Sequence, residues 1–195
     1  MNFVEPIRDR KKIAQIKNLL RGQGRFRNLL LFTVGINTAL RISDLLQLQI
    51  GQFLDDQGRC KRRFWIHEQK RNKRQEVIIN QSIQEVLKEY LKAFTDVVEN
   101  PENFVFFNSK MNVYSKPIKR GQAWKFIVSI CGAVGLRGNY HTHSLRKTWG
   151  YHARMQGVDL ALIMHKLNHE SVAYTKRYLG ITDDELQAVA LRLNL

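Results

Sequence analysis

Residues 29–40 read LLLFTVGINTAL, a run that is apolar on every side of a helical projection and relieved only by Thr33, Gly35, Asn37 and Thr38. A helix of that kind is stable only where other elements surround it. The run falls short of the ~18 uninterrupted apolar residues that a membrane span needs. The chain is therefore expected to build its other elements around a central helix from about residue 27 to residue 40.

The flanking sequence supplies amphipathic partners. A first helix is expected with Pro6 near its first position and Ile7, Ile13, Ile16, Leu19 and Leu20 on its apolar face. Gly22 and Gly24 end it. A short helix begins near Arg41, with Ser43 and Asp44 as capping types in its first turn. Further helical patterns run over residues 82–94, 118–134, 143–156, 159–167 and 171–178. The second of these follows Lys116-Pro117. A last helix is expected at 182–194, with Leu186, Val189, Ala190 and Leu193 aligned.

Between these helices, Phe53, residues 63–67 and residues 76–79 predict three short strands, with Asp55-Asp56-Gln57-Gly58 as a turn. Residues 104–107 suit a short buried strand or loop. The expected fold class is mainly α with a small antiparallel three-stranded β-sheet (α+β), in one domain spanning residues 1–195.

Charge narrows the function. Lys and Arg number 32 against 17 Asp and Glu, so 32 − 17 gives a net charge of +15 and a pI near 10.1. Such a balance in a patterned chain points to a polyanion, nucleic acid before an anionic membrane surface. The N-terminus lacks the apolar region of a secretory signal. Cys60 and Cys131 read as reduced thiols, which suits a cytosolic location in contact with the nucleoid. Candidate DNA contacts are Lys61, Arg62, Arg63, Arg71, Lys73 and Arg74, with Lys119, Arg120 and Lys125 as groove readers on the helix after Pro117. Such contacts give affinity and position more than sequence choice.

Three segments carry the groups that a metal-free phosphodiester transfer needs: cationic donors for the phosphate oxygens, a nucleophile and a proton donor. The first is Arg41-Ile42-Ser43-Asp44. The second is His143-Ser144-Leu145-Arg146, whose spacing puts His143 and Arg146 on one helix face. The third is Asn168-His169-Glu170-Ser171, followed by Tyr178 nine positions after His169 (178 − 169). Each alone is as readily a surface arginine, a solvated basic helix start or a packing tyrosine.

Taken in order, the strings ALRISDLL, HSLR, LNHES and YTKRYLG resemble the tyrosine recombinase (phage integrase) family, whose pattern is Arg before Ser-Glu/Asp-Leu, then His-x-Leu-Arg, Leu-Gly-His-x-Ser and Tyr. The interval of 23 from Arg146 to His169 (169 − 146) also looks like the family's own. The resemblance implies that Arg41, Arg146 and His169 bind the scissile phosphate, that His143 handles a proton, and that Tyr178 attacks to form a 3′-phosphotyrosyl link. It places a general-acid lysine in the basic loop at Lys70, with Lys73 next in line. Lys147 stands where the family often has His, and Asn168 where it often has Gly; asparagine tolerates the left-handed conformation. The early position of Arg41 resembles the short fimbrial-switch invertases, catalytic domains without a separate N-terminal DNA-clamping domain. Double-stranded DNA, a homo-oligomer on it, and an accessory DNA-bending protein are the implied partners. In the family, a C-terminal helix docks on a neighbouring protomer; docking on its own domain is equally open here.

No cofactor, nucleotide or metal is expected. His165 and His169 have the spacing of a zinc helix, but Lys166 stands where a metalloprotease needs Glu. Two other readings share the fold: a catalytically silent DNA-binding regulator, which should have lost Tyr178 or an arginine, and a type IB topoisomerase-like enzyme, which would relax supercoils without sequence choice.

Overall fold

The computed structural model describes residues 3–70, 73–108, 113–180 and 191. Helix α1 (Arg10–Gly22) does not begin at Pro6. Asp9 caps it, its carboxylate accepting the Lys11 N–H at 2.7 Å. Residues 3–9 instead form an irregular strap packed onto the fold, with Pro6 buried and Ile7 fully buried. The apolar run forms α2 (Phe26–Thr38), buried from Asn28 through Ile36 as its composition demands. It stops at Ala39, whose φ of 59° is left-handed.

Helix α3 (Ile42–Leu46) follows with Arg41 as its N-cap, and Ser43 and Asp44 do not cap it. Asp44 turns inward and accepts the Gln69 N–H at 3.0 Å. The expected strand at Phe53 is a helix, α4 (Ile50–Phe53). The Gln52 side chain reaches back to the Gln49 N–H, closing that turn. Phe53 packs its ring 5.2 Å from that of Phe64. Only a single bridge, Leu54 to Cys60, remains of a third strand.

The sheet is therefore the antiparallel pair β1 (Arg63–His67) and β2 (Arg74–Ile78), with Trp65 opposite Glu76. Helix α5 (Gln81–Ala93), capped by Asn80, lies along α2. A second antiparallel pair, β3 (Phe107–Asn108) and β4 (Val113–Pro117), was not expected beyond the 104–107 segment. Pro117 ends that strand, where its missing N–H costs nothing. Helix α6 (Arg120–Ala133) accordingly starts later than Pro117 suggested.

Helix α7 (Thr142–Met155) lies against α2. The two approach at Gly35, where a Cβ would stand 2.6 Å from the Leu145 Cδ1. Helices α8 (Leu160–Lys166) and α9 (Val172–Leu179) pack against α7 through a small separate core of Ala39, Ile163, Leu167 and Leu179. The helix expected at 182–194 lies outside the described residues except for Leu191. Among the described residues, no helix is long and apolar enough to cross a membrane.

Candidate active site

The end of α2 and the start of α7 meet at Arg146. This buried guanidinium donates through Nη1 to the Ala39 carbonyl at 2.6 Å and through Nη2 to the Leu167 carbonyl. The left-handed turn at Ala39 is what aims that carbonyl at α7. Arg146 is thus held from two sides before any ligand arrives.

Arg41 is held differently. Its Nη1 lies 2.7 Å from Oε1 of Glu68, a carboxylate with only 1% of its side chain exposed. The other Glu68 oxygen accepts from Asn168 Nδ2 at 2.7 Å. Asn168 has φ 47°, the left-handed conformation expected of it in place of glycine. Its amide adds something that glycine could not: a tie from the third motif to the first through Glu68. Burial alone would raise the Glu68 carboxyl; the hydrogen bonds from Arg41 and Asn168 and the charge of Arg146 bring it below its usual value. Asp44 beside it is raised, chiefly by burial.

Glu68 was missed in the sequence. Strand alternation made it one more polar residue before a basic loop, and only its partners distinguish it.

His169 sits in the turn before α9. Its Nδ1 is 3.1 Å from the Thr175 hydroxyl, which itself donates to the Ser171 carbonyl at 3.0 Å. The hydroxyl proton being committed there, Thr175 accepts from Nδ1–H and fixes the ring's orientation. Ser171 caps α9 as expected, accepting the Tyr174 N–H at 3.1 Å. The His169 ring lies edge-on to both Tyr174 and Tyr178, each centroid at 4.8 Å.

Tyr178 is near the end of α9. Burial pushes its phenol up to about 12, while Arg146 beside it works in the opposite direction. Its hydroxyl is buried without a well-aligned hydrogen-bond partner among the described residues. His143 is lowered, first by desolvation and then by His141, Arg120, Arg146 and Lys147, so its imidazole is neutral at pH 7.

Arg41, Lys70, His143, Arg146, His169 and Tyr178 all line one cleft of about 890 Å³. Lys70 is exposed at the tip of the β1–β2 hairpin. Arg120 and Arg177 line the same cleft; the first was expected as a DNA contact, and the second was not singled out. A cleft so furnished can bind a phosphate among cations with a phenol beside it.

The other candidate DNA contacts differ in how they are held. Lys61 donates to the Gly51 carbonyl at 2.6 Å. Arg63 pairs with Glu76 at 2.9 Å, and Arg74 lies 4.3 Å over the Trp65 ring. Arg62, Lys73, Lys119, Arg120 and Lys125 are exposed, and Arg71 lies outside the described residues.

A model of the phage integrase family matches residues 9–185. A probable integrase/recombinase, YoeC of Bacillus subtilis (strain 168), is 37% identical over 188 residues, covering 96% of this chain and 96% of its own length. Tyrosine recombinase XerA of Pyrococcus furiosus is 25% identical over 171 residues, which cover 88% of this chain but 56% of XerA. The chain thus matches YoeC nearly end to end and little more than half of XerA. Among solved structures, the XerH site-specific recombinase in its post-cleavage complex with difH superposes with a TM-score of 0.74 at 23% identity, over 97% of this chain and 53% of that one. The XerA recombinase crystal structure gives 0.74 at 19% identity, over 98% and 66%. Both share the fold.

Proposed function

The chain belongs to the phage integrase family, and from that membership we infer that it is a site-specific recombinase that cuts and rejoins double-stranded DNA through Tyr178. The observation that carries this reading is the convergence of Arg41, Lys70, His143, Arg146, His169 and Tyr178 on one cleft.

The chemistry follows from what each group can do. The scissile phosphate binds among Arg41, Arg146 and His169, the two guanidiniums supplying positive charge and N–H donors to the charge that builds on the equatorial oxygens. The Tyr178 oxygen attacks phosphorus. Its proton passes to His143, which is neutral and therefore able to accept it. As the O–P bond forms, the bond from phosphorus to the 5′ oxygen breaks, and the Lys70 ammonium gives that oxygen a proton. A 3′-phosphotyrosyl link and a 5′-hydroxyl result. A 5′-hydroxyl from a second strand reverses the step, and the energy kept in the ester makes a nucleotide unnecessary. Exchange between duplexes requires further copies of the chain, so a dimer or tetramer on DNA is the working form. An accessory DNA-bending protein would aid the grip.

Expression in a host cell, denaturation, and sequencing of covalently attached DNA test the reading. A single recurrent sequence is expected. Scattered attachment with relaxation of plain plasmids would instead mark a topoisomerase-like enzyme, and no attachment at all would mark a silent binder.

The exposed cations Arg62, Lys73, Lys119, Arg120 and Lys125 should make binding strongly salt-dependent. Affinity for duplex DNA should fall on the order of a thousandfold between about 50 and 200 mM salt. A flat dependence, read by fluorescence anisotropy, would count against a phosphate-tracking surface.

A further inference from the structure

The cation next to Arg146 has no place in the mechanism above, yet it touches the nucleophile. Lys147 is 7% exposed, and among the described residues no carboxylate pairs with it. Its ammonium lies between two aromatic rings instead, 3.5 Å from the centroid of Phe3 and 4.8 Å from that of Tyr178. We propose that Lys147 is an electrostatic partner of the Tyr178 nucleophile, favouring the phenolate through the ring face, and that Phe3 holds it in position. The proposal rests on Tyr178 being the attacking residue.

A cation over an aromatic face is attracted by the ring's electron density, and more so where water is excluded. Loss of the phenol proton adds negative charge to that same ring. The contact is therefore stronger with the phenolate than with the phenol, and it stabilises the state that develops during attack. Lys147 stays protonated throughout; the phenol proton still goes to His143. The other charged or titratable groups around the pair are His141 and His143 near Lys147, and Arg146, Arg41, Tyr174 and His169 near Tyr178. None is an anion that would neutralise the ammonium.

Phe3 is built into this arrangement. The strap before α1 is fastened to α7 and to the segment before it: the Ile7 N–H donates to the Thr148 hydroxyl at 2.8 Å, and the Glu5 N–H to the Asn139 carbonyl at 3.0 Å. The Phe3 ring rests on Gly180, where a Cβ would stand 3.0 Å from its Cζ and where φ is 73°. The left-handed glycine after α9 thus leaves room for the ring that closes over Lys147. Burial brings the Lys147 ammonium down to about 8. Its help to the nucleophile is accordingly present below about pH 8 and fades above it.

The test uses the full chain and the duplex recovered from the covalent complexes, with sulfur replacing the 5′ oxygen at the scissile phosphate. A thiolate leaves without a proton, so this substrate removes the demand on Lys70 and reports attack alone. Single-turnover cleavage by K147M should be on the order of tenfold slower below about pH 8, with the gap to wild type closing above it. K147R, a cation at every pH used, should keep near wild-type rate and hold it above that point. F3A should fall between wild type and K147M, and it carries the test should K147M melt early. Unchanged DNA affinity is expected throughout. Wild-type rates and pH profiles in K147M and F3A, with no product from Y178F, would overturn the role of Lys147 alone. A covalent product from Y178F, or none from wild type, would overturn the nucleophile assignment and this inference with it.

Discussion

Tyr178→Phe should form no covalent link to DNA while binding it as tightly as the wild type, to within about twofold, since binding rests on the phosphate contacts. The substitution removes one oxygen and keeps the ring that packs against His169 and Lys147. That oxygen is the only atom proposed to bond to phosphorus, so its loss leaves no slower version of the same step. The fold should not suffer. A buried hydroxyl without an aligned partner contributes little to stability, and its removal is neutral or mildly stabilising. A melting temperature equal to or above wild type, with no adduct on denaturing gels, is the expected pair of results. Any adduct from this variant would place the nucleophile elsewhere.

Arg41→Ala should slow single-turnover cleavage on the order of 10²–10³-fold, as deletion of one preorganised anion donor does elsewhere. It should also destabilise the protein, for a reason unrelated to catalysis: Glu68 would be left charged, buried and without its cation. The double variant Arg41→Ala, Glu68→Gln separates the two effects. It should recover much of the lost stability, because an amide carries no charge to be compensated, and none of the lost rate. The sign with pH follows from the carboxyl. Glu68 lies below its usual value in the folded protein, so the stability it contributes is present above the unfolded value and is lost as pH falls through the folded one. Wild type should lose that increment on acidification, and the double variant should not. Recovery of rate in the double variant would mean that Arg41 serves only to neutralise Glu68.

The residues that meet in the cleft were legible because they sit in short strings whose order and intervals carry the information. The left-handed turn at Asn168 was legible for a related reason, since asparagine where glycine is usual identifies a backbone demand. Phe53 misled because an aromatic residue beside a turn signal suits a strand and a short helix equally, and the deciding contact, Gln52 back to the Gln49 N–H, is between side chain and backbone. Pro117 suggested a helix start but closes a strand, a choice made by pairing with Phe107. Glu68 and Lys147 escaped for a deeper reason. A buried carboxylate and a buried ammonium look like surface residues in sequence, and what distinguishes them is the partner that the fold brings: Asn168 from 100 positions away for one, Phe3 and Tyr178 for the other.

The two carbonyls that Arg146 satisfies bear on how such a chain could fall silent. Loss of Arg146 would strip two helix ends of their donor and loosen the protein along with its chemistry. Loss of the Tyr178 hydroxyl would leave a sound molecule that still binds DNA. A descendant turned from cutting to gene regulation should therefore retain the arginine and carry phenylalanine at position 178, so the retained arginine alone is no sign of a working enzyme.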